Sequence, residues 1–267
     1  MMQITETVKQ LIIINILFFI GSHFVPEAQV YLPMYYFESD MFKFWQPITH
    51  MFMHGNFMHI LFNMFGLFMF GSTLEQFWGA KKFLFFYISC GLGAALIHQG
   101  VNYYEVHSLL GQISNANLSS SDVYAILNTN FNDGSGMYRG ELLYKNASEI
   151  FDRVNLTSEE FGILFKAAIE SQSAVVGASG ALYGLLAAFA FMFPNVELML
   201  MFIPIPIKAK YFVPGLMLID LISGLNGNSI FGMSTGIAHF AHLGGALTGF
   251  FIMWYWKKSQ FNQNRWN

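Results

Sequence analysis

Apolar residues fall along this chain in long blocks rather than in a periodic stripe. Six blocks occupy about residues 8–25, 57–78, 83–101, 174–193, 212–225 and 236–256. Most approach the ~20 residues that carry a helix across a hydrocarbon core. A helix that is apolar on every side has no water-facing surface, so lipid or protein must surround it. The pattern predicts an all-α polytopic membrane protein with six transmembrane helices. The fifth block is short, and the "IPIPIKAKYFVP" that leads into it reads as a proline-broken loop or re-entrant segment. The first block follows a single lysine, Lys9, and "GSHFVPEAQ" behind it offers no small-x-small cleavage site. It reads as a retained span rather than a removed signal.

Two segments interrupt this pattern. Residues 26–56 are rich in aromatics and read as an interfacial loop, with Tyr35, Tyr36 and Trp45 near the headgroups. His50 and His54, in the same loop, read as solvated or interfacial. Residues 103–173 are the one soluble-looking stretch, with nine acidic residues against four basic, a local balance of −5. Within it, "LTSEEFGILFKAAIESQ" carries a helix start: Thr157 or Ser158 as cap, with Glu159 and Glu160 in the first turn. Two or three short amphipathic helices on the outer face are expected here. The organisation is then helices 1–3 with the aromatic loop in 1–102, a helical extramembrane insert in 103–173, and helices 4–6 in 174–267.

Composition agrees with the pattern. Of 267 residues, 54% are hydrophobic and 11% charged, against a usual charged fraction of about 25%. The net charge of −3 indicates no nucleic-acid partner. Cys90 is alone, which excludes an intramolecular disulfide or a cysteine-rich metal site, and reads as a small packing residue. Basic residues set the orientation. With the N-terminus inside, the cytoplasmic side holds Lys9, Lys81, Lys82, Lys208, Lys210, Lys257, Lys258 and Arg265, eight against five outside. The positive-inside rule favours both termini in the cytoplasm. "EQFWGAKKF" becomes a tight cytoplasmic turn. The expected location is a multi-pass position in a bacterial-type cell membrane.

Polar groups inside lipid need a partner or a task. Spans two, four and six all enter from the outer side, which places His59 and Asn63, Ser179, and His239 and His242 at one depth. Ser179 sits in "GASG", where Gly177 and Gly180 expose backbone N–H groups and a helix start adds partial positive charge. It reads as a nucleophile or as a packing serine. The sequence lacks the soluble-hydrolase elbow, since Ala181 stands where that motif needs glycine. His242 reads as its base or as a bundle hydrogen-bonder, and His239 as the weaker candidate. Gly180 and Gly184, like Gly245 and Gly249, are four apart, a spacing that lets two helices approach closely. His59 and Asn63 share one helix face and read as oxyanion donors or interhelical glue. Tyr183, one turn below Ser179, reads as packing on the His242 ring or as an ordinary bundle aromatic. "HGNFMH" lacks the glutamate of a zincin, so neither metal nor cofactor is expected. Asp220, the acid in the middle of the fifth block, receives no role, and a Ser-His dyad is expected.

His59-x3-Asn63, Gly177-Ala-Ser179-Gly180 and Ala241-His242-x-Gly-Gly245, in that order on spans two, four and six, resemble the rhomboid family of intramembrane serine proteases. The resemblance covers the chain except the insert. It implies a six-helix bundle, Ser179 as nucleophile and His242 as general base. It also implies an oxyanion hole of His59, Asn63 and the Ser179 N–H, with Tyr183 stacked on the histidine. The aromatic loop matches the family's half-submerged first loop, with Trp45-Gln46 where Trp-Arg is frequent. The implied partners are the lipid bilayer and transmembrane protein substrates; the sequence is silent on oligomeric state. The alternative is a rhomboid-like pseudoenzyme that binds or escorts membrane proteins without cleaving them. A transporter would call for broken helices in repeated halves, which the sequence lacks.

Overall fold

The computed structural model describes residues 3–113, 116–134, 137–200, 203–226 and 236–261. In chain order the principal helices are α1 (Glu6–Phe24), α2 (Phe57–Trp78) and α3 (Ala80–Gln112). Then come α4 (Ser120–Asn128), α5 (Gly140–Asn146), α6 (Ser148–Arg153) and α7 (Ser158–Gln172). The last three are α8 (Ser179–Met192), α9 (Ala209–Asn226) and α10 (Gly236–Phe261). Among the described residues, α1, α2 and α3 are long and apolar enough to cross a membrane, and α8 is a shorter apolar helix. Contacts group the chain into two units: Met1–Pro33, Trp45–His98 and Val176–Asn267 form one, Met34–Phe44 and Gln99–Val175 the other.

In the first unit, Val8, Leu11, Met64, Leu67, Phe83, Tyr87, Cys90, Leu182, Leu185 and Met253 share one core. The outer faces stay apolar as well: Ile13, Leu17 and Ile20 of α1 and Leu247, Phe250 and Phe251 of α10 are exposed. That is the surface expected of helices with lipid for solvent. The start of α1 is held by Glu75 of α2. The Glu75 carboxylate accepts from the Thr5 hydroxyl at 2.5 Å, the Thr7 N–H at 3.1 Å and the Val8 N–H at 3.0 Å. It thereby satisfies helix-end donors that have no partner within α1. The turn after α2 is as tight as its sequence suggests. Gly79 adopts φ +75°, a conformation other residues reach at a cost.

Four expectations change here. α3 continues eleven residues past the block ending at 101, because Val106 and Leu109 keep a buried face in an otherwise polar extension. The all-helical reading misses a hairpin. β1 (Glu197–Leu200) and β2 (Ile203–Lys208) pair antiparallel, with Glu197 opposite Lys208. Alternating Pro-Ile-Pro-Ile fits a strand in a two-stranded sheet, which leaves one edge without need of donors. The segment read as a proline-broken loop or re-entrant stretch is β2 followed by the start of α9, with Pro214 inside the helix. Finally, His50 and His54 are buried. His50 Nδ1 lies 2.8 Å from the Gln46 carbonyl, so the loop folds inward where solvation was expected.

The second unit has its own core, which includes Tyr36, Val106, Ile126, Leu127, Phe131, Leu143, Phe151, Leu164 and Ala168. Tyr36 is thus a core residue, not a headgroup anchor, and its hydroxyl donates to Glu38 at 2.7 Å. α7 starts at Thr157, whose side chain accepts from the Glu160 N–H at 3.2 Å while Glu160 accepts from the Thr157 N–H at 2.8 Å. Ser119 and Asp122 repeat this reciprocal cap at α4. Four helices plus the end of α3 stand where two or three were expected.

Candidate active site

The site is assembled within the first unit from the N-terminal ends of α2, α8 and α10. The approach to α8 is fixed by Gly177. Its N–H donates to the His50 carbonyl at 2.9 Å, and its φ is +120°. A Cβ there would lie 2.7 Å from His59 Nε2 and 3.7 Å from Ser179 Oγ. Only glycine fits both the backbone angle and the gap. Ser179 follows as the first residue of α8, half-buried, with no side-chain cap on the helix. The free N–H groups of that end and their partial positive charge surround the hydroxyl.

The paired glycines bring α8 and α10 into backbone contact. A Cβ on Gly245 would fall on the Gly180 carbonyl, and one on Gly249 would sit 2.7 Å from the Gly184 carbonyl oxygen. At this separation His242, one turn before Gly245, reaches Ser179: Nε2 lies 2.9 Å from Oγ. The Tyr183 ring stacks on the His242 imidazole, centroids 4.3 Å apart and planes within 9°. That contact limits rotation of the histidine about its side-chain bonds.

The sequence left Asp220 without a role, and the structure buries it against both histidines of α10. Its Oδ1 lies 3.2 Å from His242 Nδ1 and 2.5 Å from His239 Nδ1. Tyr183 interacts with the same carboxylate. The signal that could have found Asp220 was its presence in an apolar block, where an acid needs a partner. Ligand atoms of Asp220, His239 and His242 all lie within 4.8 Å of one another, a set able to hold a divalent metal.

His59 borders the site, and Asn63 bonds to the backbone of its own helix. The His59 imidazole borders Gly177, packs edge-on to His54 with centroids 5.1 Å apart, and lies within electrostatic range of His242. Asn63 is buried, and its amide donates to the His59 carbonyl one turn back at 2.9 Å. An amide nitrogen carries a second hydrogen, so one donor of Asn63 is uncommitted by that bond. Gly180 serves the helix seam.

Sequence comparison relates the chain to known proteins. The Rhomboid domain pattern matches residues 41–112 and 151–259. The unmatched interior, 113–150, is narrower than the insert read from composition. A protein named Rhomboid protease AarA, from Providencia stuartii, is 39% identical over 62 residues, which are 23% of this chain and 22% of that protein. The aligned stretch thus spans about a fifth of the relative's length.

Proposed function

The chain belongs to the rhomboid family, and from that premise we propose that it is an intramembrane serine endopeptidase. Its substrates are other membrane proteins, cut in or near their transmembrane segments. The observation that carries the reading is the 2.9 Å approach of His242 Nε2 to Ser179 Oγ at the head of an apolar helix. In the proposed reaction, Ser179 Oγ attacks the scissile carbonyl carbon while His242 Nε2 takes the hydroxyl proton. The carbonyl oxygen becomes an oxyanion facing the Ser179 N–H, His59 and Asn63. Collapse breaks the C–N bond, His242 returns the proton to the leaving amine, and an acyl-enzyme remains. Water, deprotonated by His242, then releases the acid product and regenerates the serine.

This reading includes six spans, formed by α1, α2, α3, α8, α9 and α10, with both termini in the cytoplasm. The exposed apolar faces of α1, α2, α3, α9 and α10, the apolar composition of α8 and the distribution of basic residues support it. A general base contributes ~10²–10⁴-fold to rate, and each oxyanion donor ~10²–10³-fold. The experiment compares wild type with Ser179→Ala on a labelled transmembrane substrate in detergent, alongside a serine-directed fluorophosphonate probe. The variant should fold, leave the substrate intact and take up no probe. Cleavage by Ser179→Ala at a substantial rate would refute the assignment.

A further inference from the structure

We propose that Asp220 is the positioning acid of this site: by accepting from His242 Nδ1 it fixes the tautomer in which Nε2 can take the Ser179 proton. The inference rests on the proposed Ser179–His242 chemistry and adds a third member to it.

Asp220 is 4% exposed. A carboxylate taken out of water is costly unless donors surround it. Two imidazole nitrogens lie on its Oδ1, His239 Nδ1 at 2.5 Å and His242 Nδ1 at 3.2 Å, and Tyr183 interacts with the same carboxylate. Its Oδ2 is buried with no hydrogen-bond partner among the described residues. An ionised carboxylate is an acceptor only, so both bonds place the imidazole proton on Nδ1.

The consequence for His242 is chemical. A neutral imidazole carries one N–H, and the hydrogen bond made by one nitrogen decides the state of the other. With the proton on Nδ1, Nε2 holds a lone pair 2.9 Å from Ser179 Oγ, which is what a general base requires. With the proton on Nε2, the ring would donate to the serine and could not activate it. When Nε2 takes the serine proton, the ring becomes a cation, and Asp220 lies against its Nδ1. Among the described residues, the groups facing His242 include Ser179 and Tyr183 from α8, Asp220 from α9, His239 on its own helix, and His59 from α2.

His239 has a different place. It is 8% exposed, and its Nε2 has no hydrogen-bond partner among the described residues. Its ring stands perpendicular to that of His242, with centroids 6.2 Å apart. It shares Oδ1 with His242 and supplies the second donor that a buried carboxylate needs.

The test is Asp220→Asn in the full-length protein in detergent, with kcat and KM measured on a transmembrane substrate. Asparagine keeps the shape and offers an N–H in place of a negative acceptor. The tautomer penalty for such a change predicts a kcat lower by ~10²–10⁴-fold with KM little altered. A merely structural aspartate would not move the second readout, ¹⁵N spectra of histidine-labelled protein. With His242 assigned by difference from His242→Gln, wild type should show it protonated on Nδ1, and Asp220→Asn should shift it toward Nε2. A kcat within about fivefold of wild type in folded Asp220→Asn overturns the inference. So does a wild-type His242 protonated on Nε2, and this second outcome holds even if the variant does not fold. Ser179→Ala separates the two levels. If it is inert while Asp220→Asn is fully active, only the positioning role fails; if it still cleaves, the protease reading fails.

Discussion

Gly245→Ala should part the serine from the histidine without altering either. The new Cβ would occupy the space of the Gly180 carbonyl, one residue from Ser179. Gly249, one turn further along α10, calibrates the displacement. A Cβ there would lie 2.7 Å from the Gly184 oxygen where ordinary contact begins at 3.4 Å, so the helices must separate locally by up to 0.7 Å. The overlap at Gly245 is deeper, and His242 is one turn away. Adding even ~0.7 Å to the Ser179–His242 separation carries it past hydrogen-bonding range. The loss of general-base assistance predicts a fall in kcat of ~10²–10⁴-fold. Overpacking the seam should destabilise the protein by ~1–3 kcal/mol. The assay is turnover of a transmembrane substrate by protein shown to be folded by thermal melting, with fluorophosphonate labelling rates alongside. Gly249→Ala should be impaired less than Gly245→Ala. If Gly245→Ala keeps turnover within about threefold of wild type, or if Gly249→Ala is the worse of the two, the seam does not set the serine–histidine distance.

The oxyanion donors and the second unit give the remaining expectations. Asn63→Ala and His59→Ala should each lower kcat by ~10²-fold with smaller change in KM; wild-type turnover in both would reduce them to interhelical contacts. The Glu170 carboxyl is pushed up to about 7 by burial, helped by Glu105 and partly opposed by Lys166. Its folded value lies above its ordinary 4.5, so the folded unit holds a proton that the unfolded chain releases. That stability is present below pH 4.5 and lost as pH rises through 7. Hydrogen-exchange protection of α7, corrected for intrinsic rate, should fall across this window, and Glu170→Gln should flatten the fall. An unchanged slope in that variant would remove Glu170 as the cause.

What could be read from the sequence was what local chemistry determines. Apolar blocks announced α1 and α2 because lipid-facing helices need no polar face. Thr157 announced the start of α7 because its cap is made within four residues. The glycine pairs announced the α8–α10 seam because only glycine admits that approach. What escaped depended on partners distant in sequence. Asp220 looked like an isolated acid, since its histidines stand 19 and 22 residues away across a connection the pattern does not resolve. Tyr36 looked like a headgroup anchor because an aromatic in a polar loop has the same signature whether lipid or protein covers it. The hairpin around β2 was hidden by its prolines, which penalise a strand except where an edge is free.

The glycine seam and the polar cluster answer one physical problem. Between helices in lipid, association gains nothing from expelling water, so packing and interhelical hydrogen bonds must hold the bundle. Close packing needs small residues, and interhelical hydrogen bonds need polar ones at the same level. Here the two coincide. Gly180 and Gly245 bring the backbones together at the level where Ser179, His242 and Asp220 bond across three helices. A wider seam would leave each polar group unpaired in an apolar surround, at ~1–3 kcal/mol apiece. A seam without polar groups would pack but could do no chemistry. The bonds that would align the serine with its proposed base are therefore also bonds that hold α8, α9 and α10 together, so substitutions in this cluster should change stability and turnover together, whereas substitutions at the exposed apolar positions of α9 and α10, such as Leu218 and Phe251, should change neither.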